Sequence, residues 1–131
     1  RSGASAALVI AAARVVYTAN LGDSRVYRYT RGALTQLTRD HRFALGGRHE
    51  LYQYLGASDE DTEISSTIGK IDRVAGERLL LCTDGVSGKL TDEELAALLT
   101  AHPDAGEAAT AILDAVRETA TDNATVLVVN L

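Results

Sequence analysis

The sequence predicts an α+β domain in which helices pack on a largely antiparallel sheet. Two observations favour this class: strand-like segments fill the first part of the chain, and two amphipathic helical segments follow before a last apolar strand. A chain of 131 residues is long enough for one domain with its own core. Its 46% hydrophobic and 24% charged residues are typical of a soluble globular protein.

Four strand-like segments lie between residues 4 and 38, and we expect them to form an antiparallel meander. Short breaks separate ASAALVIAAA (4–13), RVVYTANL (14–21), RVYRY (25–29) and ALTQL (33–37). RVYRY alternates apolar and basic residues and should be half-exposed. The first segment is apolar on both faces, so it should be covered on both. One face of the sheet therefore requires a partner layer.

The middle of the chain has no clean period. Residues 49–55 could form a short helix that Gly56 ends. Residues 62–71 alternate in polarity and predict a strand, and Arg78–Cys82 predicts a central strand after a turn at Ala75-Gly76.

Two helices are predicted from their start signals. Thr91 followed by Glu94 forms a capping box, with Leu90 and Leu95 placed as a hydrophobic staple. The second helix should begin near Asp104, with Glu107 three residues later, and end before Asp122. The apolar stripes of the two helices consist of Leu95, Leu98 and Leu99, and of Ala108, Ala109, Ile112, Leu113 and Val116. ATVLVVNL (124–131) is then a last, central strand.

Charge and cysteine content exclude several classes of protein. A net charge of −5 with scattered basic residues argues against a nucleic-acid partner. No apolar run approaches the roughly 20 residues that cross a bilayer, so we expect no membrane span. Cys82 lies in an apolar run and should be a buried, reduced thiol. With one cysteine no disulfide framework exists, which suits a cytoplasmic location.

Three acids stand at strand ends and are the candidate site. Asp23 lies in a turn, Asp84 follows the strand RLLLC, and Asp122 precedes ATVLVVNL. If the strands beside Asp84 and Asp122 are antiparallel neighbours, both acids fall on the same sheet edge. Two carboxylates there repel, and a hard cation such as Mg²⁺ or Mn²⁺ would relieve that repulsion. The alternative is that Asp-Gly and Asp-Asn simply form turns.

Other kinds of site are weakly indicated. Gly46-Gly47 lacks the strand and the Lys and Ser or Thr of a phosphate-binding loop. No nucleophile elbow surrounds the remaining candidate side chains, which are Ser24, Ser87, His41, His49 and His102. A serine hydrolase is therefore not predicted.

Three ordered motifs together resemble the metal-dependent protein phosphatases (PPM, type 2C, serine/threonine phosphatases), in particular bacterial members. ANLGDSRVYRYTRGALTQLTRDH (19–41) resembles the family's Gly-Asp-Ser-Arg hairpin and the Leu-Thr-x-Asp-His that follows. ERLLLCTDGVSGKLTDEEL (77–95) resembles its strand, Asp-Gly turn and helix, and TDNATVLVV (121–129) its closing Asp-Asn-x-Thr strand. GAS at 3–5 matches the start of the preceding hairpin.

The resemblance implies an antiparallel β-sandwich flanked by helices, the αββα phosphatase fold. It also implies two Mn²⁺ or Mg²⁺ ions whose bridging water hydrolyses phosphoserine or phosphothreonine. Asp84 and Asp122 would be ligands of one ion in that pair, and Asp23 would help Asp84 bind a third, weaker ion. Phosphoproteins, including a Ser/Thr kinase or its targets, would be the partners. No catalytic residue beyond the metal ligands is implied.

Two departures from the family pattern affect these expectations. The family's N-terminal Arg, the acid after it and its Asp-Gly-x-Gly-Gly motif have no counterpart here, so residues 1–131 would be one partial catalytic domain, incomplete at the N-terminus. The region between Asp40-His41 and Gly56 is also shorter than the flap of many bacterial members. The chain is then either a fragment of a longer phosphatase or an inactive relative that binds partners. An uncovered sheet face would serve self-association.

Overall fold

The computed structural model describes residues 3–45, 48–56, 63–119 and 122–131. These ranges contain nine strands and three helices. The strands are β1 (Ala6–Ala11), β2 (Val15–Leu21), β3 (Arg25–Thr30), β4 (Ala33–Gln36), β5 (Arg42–Leu45), β6 (Arg48–Leu51), β7 (Thr67–Asp72), β8 (Arg78–Cys82) and β9 (Val126–Asn130). The helices are α1 (Asp84–Ser87), α2 (Asp92–Ala101) and α3 (Ala105–Arg117).

The strands form two main sheets and a separate hairpin. The first sheet has the order β1-β2-β7, the second has the order β4-β3-β8-β9, and β5 pairs with β6. Every pairing is antiparallel. The predicted α+β class with antiparallel sheets is therefore confirmed.

The predicted meander over residues 4–38 is wrong at its centre. β1 and β2 pair as a hairpin of the first sheet, but β3 and β4 form a hairpin of the second. The chain crosses between the sheets at Gly22, which has φ of +95°. That left-handed backbone, which glycine adopts without a Cβ penalty, turns the chain out of the first sheet instead of folding β3 back on β2.

The predicted helix over residues 49–55 is also wrong, because β6 occupies its first part and pairs with β5. The strand predicted over 62–71 is observed in its second half as β7, since residues 63–66 are not in a strand, and residues 57–62 lie outside the described part of the chain. The turn at Ala75-Gly76 is confirmed by φ of +83° at Gly76.

Both long helices begin as predicted. The Thr91 hydroxyl accepts from the Glu94 backbone N–H at 3.2 Å, and the Glu94 carboxylate accepts from the Thr91 N–H at 2.8 Å. The Asp104 carboxylate accepts from the Glu107 N–H at 2.9 Å. These bonds satisfy backbone donors that the first turn of a helix leaves free. None of the helices in the described ranges is long and apolar enough to cross a membrane.

The main core lies between the helices and the second sheet. Leu95 and Leu99 of α2 and the stripe of α3 pack on the sheet face that carries Tyr27 and Leu80. Burial of this apolar surface is the main stabilising contribution to the fold. On the other face of the same sheet, Leu79 is completely buried.

The outer face of the first sheet is uncovered in the described structure, contrary to the prediction that β1 is covered on both faces. Leu8, Ile10 and Ile68 point to this face and are 55%, 56% and 74% exposed. The register places Leu8 and Ile68 on opposite sides of Ala19, so Leu8, Ala19 and Ile68 form one row across the sheet. We call Leu8, Ile10, Tyr17 and Ile68 the outer apolar face.

Candidate metal centre

Asp84 stands where an apolar strand becomes a short helix. Leu79 and Leu80 of β8 are completely buried, and Thr83 precedes α1 as its N-cap. The Asp84 side chain is exposed at the end of this rigid strand. Solvent and the first helical turn therefore compensate a charge that would be costly one or two residues earlier.

The segment carrying Asp122 lies directly beside Asp84. β8 and β9 are antiparallel neighbours, with Cys82 opposite Val126, so the condition on which the sequence argument depended is met. Beyond the ladder, the Thr83 N–H donates to the Thr125 carbonyl at 3.2 Å, and the Thr125 N–H donates to the Thr83 hydroxyl at 3.0 Å. Both acids consequently lie at one edge of the second sheet.

Asp122 itself is exposed. Its carboxylate accepts from the N–H of Asn123 at 2.7 Å, a bond to the next residue and not the bond two residues on that defines an Asx turn. A carboxylate has lone pairs left for a cation after accepting one hydrogen bond. The observed contact is therefore compatible with a ligand role.

Asp23 lies in the crossing between the sheets, within range of the charge of Asp84. Burial and, second, the negative charge of Asp84 raise the pKa of Asp23 above its ordinary value, although its own backbone N–H and Arg42 act in the opposite direction. The charge of Asp84 therefore opposes ionisation of Asp23.

The described residues place acidic side chains at one sheet edge but do not assemble a metal-binding group. Within residues 3–45, 48–56, 63–119 and 122–131, no group of three or more His, Cys, Asp or Glu side chains is arranged to hold a metal ion. The negative charge of Asp84 acts on Asp23, and the Asp122 segment is bonded to the Asp84 segment through Thr83 and Thr125. Carboxylate oxygens are the donors that a hard divalent cation prefers.

A charged cluster beside Asp23 was missed by the sequence analysis. Arg25 donates to both carboxylate oxygens of Asp40, at 2.9 and 2.7 Å, and its remaining nitrogen donates to the Tyr27 hydroxyl at 2.8 Å. Burial alone would raise the pKa of Asp40, but the hydrogen bonds and charge of Arg25 outweigh burial and lower it. Arg42 adds a second cation 3.1 Å from the same carboxylate. The Asp40 carboxylate is therefore paired with these two arginines.

Cys82 and His41 are not arranged as nucleophile and base. Cys82 is buried as predicted, and burial raises the pKa of its thiol to about 12, so it stays protonated. Both His41 ring nitrogens have partners, the Gly22 N–H and the Thr67 hydroxyl. The Ser24 hydroxyl pairs with that of Ser5 at 2.6 Å.

Comparisons with known proteins define the family. The sequence profile of the protein phosphatase 2C family matches residues 2–126. The chain is 31% identical over 125 residues to the serine/threonine protein phosphatase PstP of Mycobacterium tuberculosis, an alignment that covers 86% of this chain. The chain belongs to the protein phosphatase 2C family, as its motifs predicted.

Solved structures agree in fold. The catalytic domain of PstP in complex with 2 manganese ions superimposes with a TM-score of 0.82 at 29% identity, over 98% of this chain and 58% of that one. PppA of Pseudomonas aeruginosa, described as a regulatory component of a type VI secretion system, gives 0.85 at 26% identity, over 93% and 54%. The chain spans about a quarter of the curated relative, 24% of PstP.

Proposed function

We propose that this chain is part of a metal-dependent phosphatase that hydrolyses phosphoserine and phosphothreonine in proteins. The observation that carries the proposal is that the pairing of β8 with β9 brings the Asp84 and Asp122 segments to one sheet edge of a protein phosphatase 2C domain. Repelling carboxylates are costly in a protein without a cation, and they become a favourable site when one binds.

Asp84 and Asp122 would hold one Mn²⁺ or Mg²⁺ ion of a pair, and Asp23 with Asp84 would hold a third. When bound, such ions acidify water for attack on phosphorus and neutralise the phosphoryl oxygens. The chain's contribution is rigidity, because β8 and β9 fix the two segments while the Asp40 cluster supplies positive charge near Asp23. A cytoplasmic phosphoprotein, a Ser/Thr kinase or one of its targets, is the proposed substrate.

We further propose that residues 1–131 are a single partial catalytic domain. The chain covers 58% of the manganese-bound PstP domain, and the described residues supply an incomplete donor set. The remaining ligands would then belong to the part of the family domain that this chain does not match. Activity is accordingly a property of the complete gene product.

Asp84→Asn in the complete gene product should reduce Mn²⁺-dependent hydrolysis of a phosphothreonine peptide by about 100-fold or more. The amide removes a negative charge and an oxygen donor, whereas loss of a residue that only orients a ligand already costs 10- to 100-fold. Asp114→Asn is the matched control, because Asp114 is an exposed acid on α3 paired only with Arg117. Unchanged turnover in Asp84→Asn would contradict the assignment.

The outer apolar face supports a second candidate function, partner binding without catalysis. Three large side chains of this face are more than half exposed, which is unusual for a face that remains in water. As the occupant we propose a second copy of the chain, which would present the same apolar row. This function is favoured if the complete gene product lacks Mn²⁺-dependent hydrolysis.

Ile68→Asp should convert a self-associated 131-residue chain to monomer, because it places a charge at the most exposed side chain of the outer apolar face. Ile68 is 74% exposed, so the change should cost the fold itself little. Sedimentation velocity measures the outcome, and Val74→Asp, also exposed but in the loop after β7, is the control. A wild-type chain that stays monomeric at high concentration would refute self-association.

A further inference from the structure

His41 is buried and binds both backbone polar groups of Gly22. It is 4% exposed, its backbone N–H donates to the Gly22 carbonyl at 2.8 Å, and its Nδ1 accepts from the Gly22 N–H at 3.2 Å. On the far side of the ring, Nε2 lies 2.7 Å from the Thr67 hydroxyl oxygen of β7. The imidazole therefore bridges β7 and the crossing between the sheets.

A residue with a side chain would be strained at the position of Gly22. Its φ of +95° belongs to the left-handed region, and an added Cβ would lie 2.6 Å from the Ser5 Cβ. The next residue is Asp23. Because a one-residue separation leaves only the dihedrals of Gly22 and Asp23 between them, the orientation of the Gly22 peptide sets where the Asp23 carboxylate projects.

The hydrogen bonds define one tautomer of His41. Nδ1 accepts from an N–H, so it carries no proton, and Nε2–H must donate to the Thr67 hydroxyl. Burial and, second, the positive charge of Arg39 lower the pKa of His41, which favours this neutral ring. Because the ring proton is on Nε2 and is donated to Thr67, Nδ1 carries no proton and can accept from the Gly22 N–H.

We propose that His41 is a positioning residue for the metal centre, holding Gly22 through Nδ1 so that the Asp23 carboxylate is fixed opposite Asp84. The inference rests on the proposed function, since it assigns His41 a task only if Asp23 binds a cation. His41 itself is not a ligand, because both of its ring nitrogens are already bonded.

Two substitutions of His41 test the hydrogen bonds of its two ring nitrogens separately. In His41→Asn the amide can place its oxygen where Nδ1 lies and accept from Gly22, but it cannot reach Thr67. In His41→Gln the amide can reach Thr67, but no acceptor remains at the Nδ1 position. The corresponding pair at His102, at the opposite end of β8 where its carbonyl accepts from Arg78, is the matched control.

Mn²⁺ affinity of the complete gene product, measured by isothermal titration calorimetry, is the first readout. His41→Gln should weaken the weakest resolved Mn²⁺ site by about tenfold, and His41→Asn should stay within about threefold of wild type, since partners that orient a ligand contribute 10- to 100-fold. Equal losses in the two variants, or no loss in His41→Gln, would overturn the proposal. The His102 variants should change nothing.

Hydrogen exchange of the Gly22 amide is the second readout and needs no metal. Protection should be retained in His41→Asn and lost in His41→Gln. If neither variant folds, the proposal can still be tested on the wild-type protein. Its ¹⁵N spectrum must show that His41 Nδ1 is unprotonated and Nε2 protonated, and its Gly22 amide must be protected from exchange. The reverse tautomer would overturn the proposal.

Asp23→Asn distinguishes failure of this inference from failure of the proposed function. It should remove the same Mn²⁺ site while leaving the Gly22 amide protected. If Asp23→Asn and Asp84→Asn leave Mn²⁺ binding intact, the proposed metal centre is wrong. If they abolish it and His41→Gln does not weaken it, only the positioning role of His41 is wrong.

Discussion

Arg78→Leu should lower the free energy of unfolding by about 3–5 kcal/mol, because it removes the one donor of several hydrogen bonds to buried neutral acceptors. Arg78 is 7% exposed at the start of β8. Its guanidinium donates to the Asn130 side chain at 2.9 Å, to the carbonyl of Leu99, and to that of His102 at 2.9 Å. The last two are carbonyls at the end of α2, which no further helical turn can satisfy.

Leucine would fill much of the space but leave these acceptors without a donor. Each hydrogen bond to a charged group contributes about 1.5–3 kcal/mol, and water can replace only the partners near the surface. Urea denaturation measures the loss. Arg117→Leu is the matched control, because the Arg117 side chain is 79% exposed and its ion pair with Asp114 should contribute less than about 1 kcal/mol. Equal destabilisation by both variants would contradict the account.

Features of the fold that depend on neighbouring residues could be predicted from the sequence. The capping box needs only Thr91 and Glu94, three residues apart, and both of its hydrogen bonds are present. The pairing of β8 with β9, on which the site argument depended, is observed. The prediction that β9 is central is wrong, because β9 is the edge strand of the second sheet and its Leu127 is 53% exposed.

Features that depend on distant residues were missed. Residues 15–21 and 25–30 are consecutive strands separated by a short turn, which normally indicates a hairpin. The hairpin does not form, because the left-handed backbone at Gly22 turns the chain toward the other sheet. Residues 49–55 likewise form no helix, because pairing of β6 with β5 satisfies the backbone instead.

The candidate site likewise contains some residues that the sequence could predict and others that it could not. Asp23, Asp84 and Asp122 could be found from their positions at strand ends, and their ligand roles stay predictions. The partners that orient this region could not be found in the same way: Asp40 binds Arg25 across 15 residues, and His41 binds Gly22 across 19. The sequence shows that these side chains are polar but not which atoms they meet.

Gly85→Ala should destabilise the fold by about 1–3 kcal/mol, the typical cost of overpacking, and weaken Mn²⁺ binding at the same time. Gly85 follows Asp84 in α1 and is buried. An added Cβ would overlap the Asn123 carbonyl oxygen and lie 2.9 Å from its carbon and 3.3 Å from the Ala124 Cα. Since these are backbone atoms, relief requires the Asp122–Ala124 segment to move away from Asp84.

Helix propensity alone predicts the opposite sign for Gly85→Ala, because alanine is favoured over glycine in a helix by about 1 kcal/mol. Gly106→Ala in α3 therefore serves as the control: its added Cβ meets a side-chain oxygen, that of Asp104 at 3.2 Å, and not backbone, so the variant should be destabilised less than Gly85→Ala. Urea denaturation and Mn²⁺ calorimetry on both variants separate the effects. If Gly85→Ala loses stability but keeps wild-type Mn²⁺ affinity, the spacing of the Asp84 and Asp122 segments does not set the metal site, and Asp122 is only a turn former.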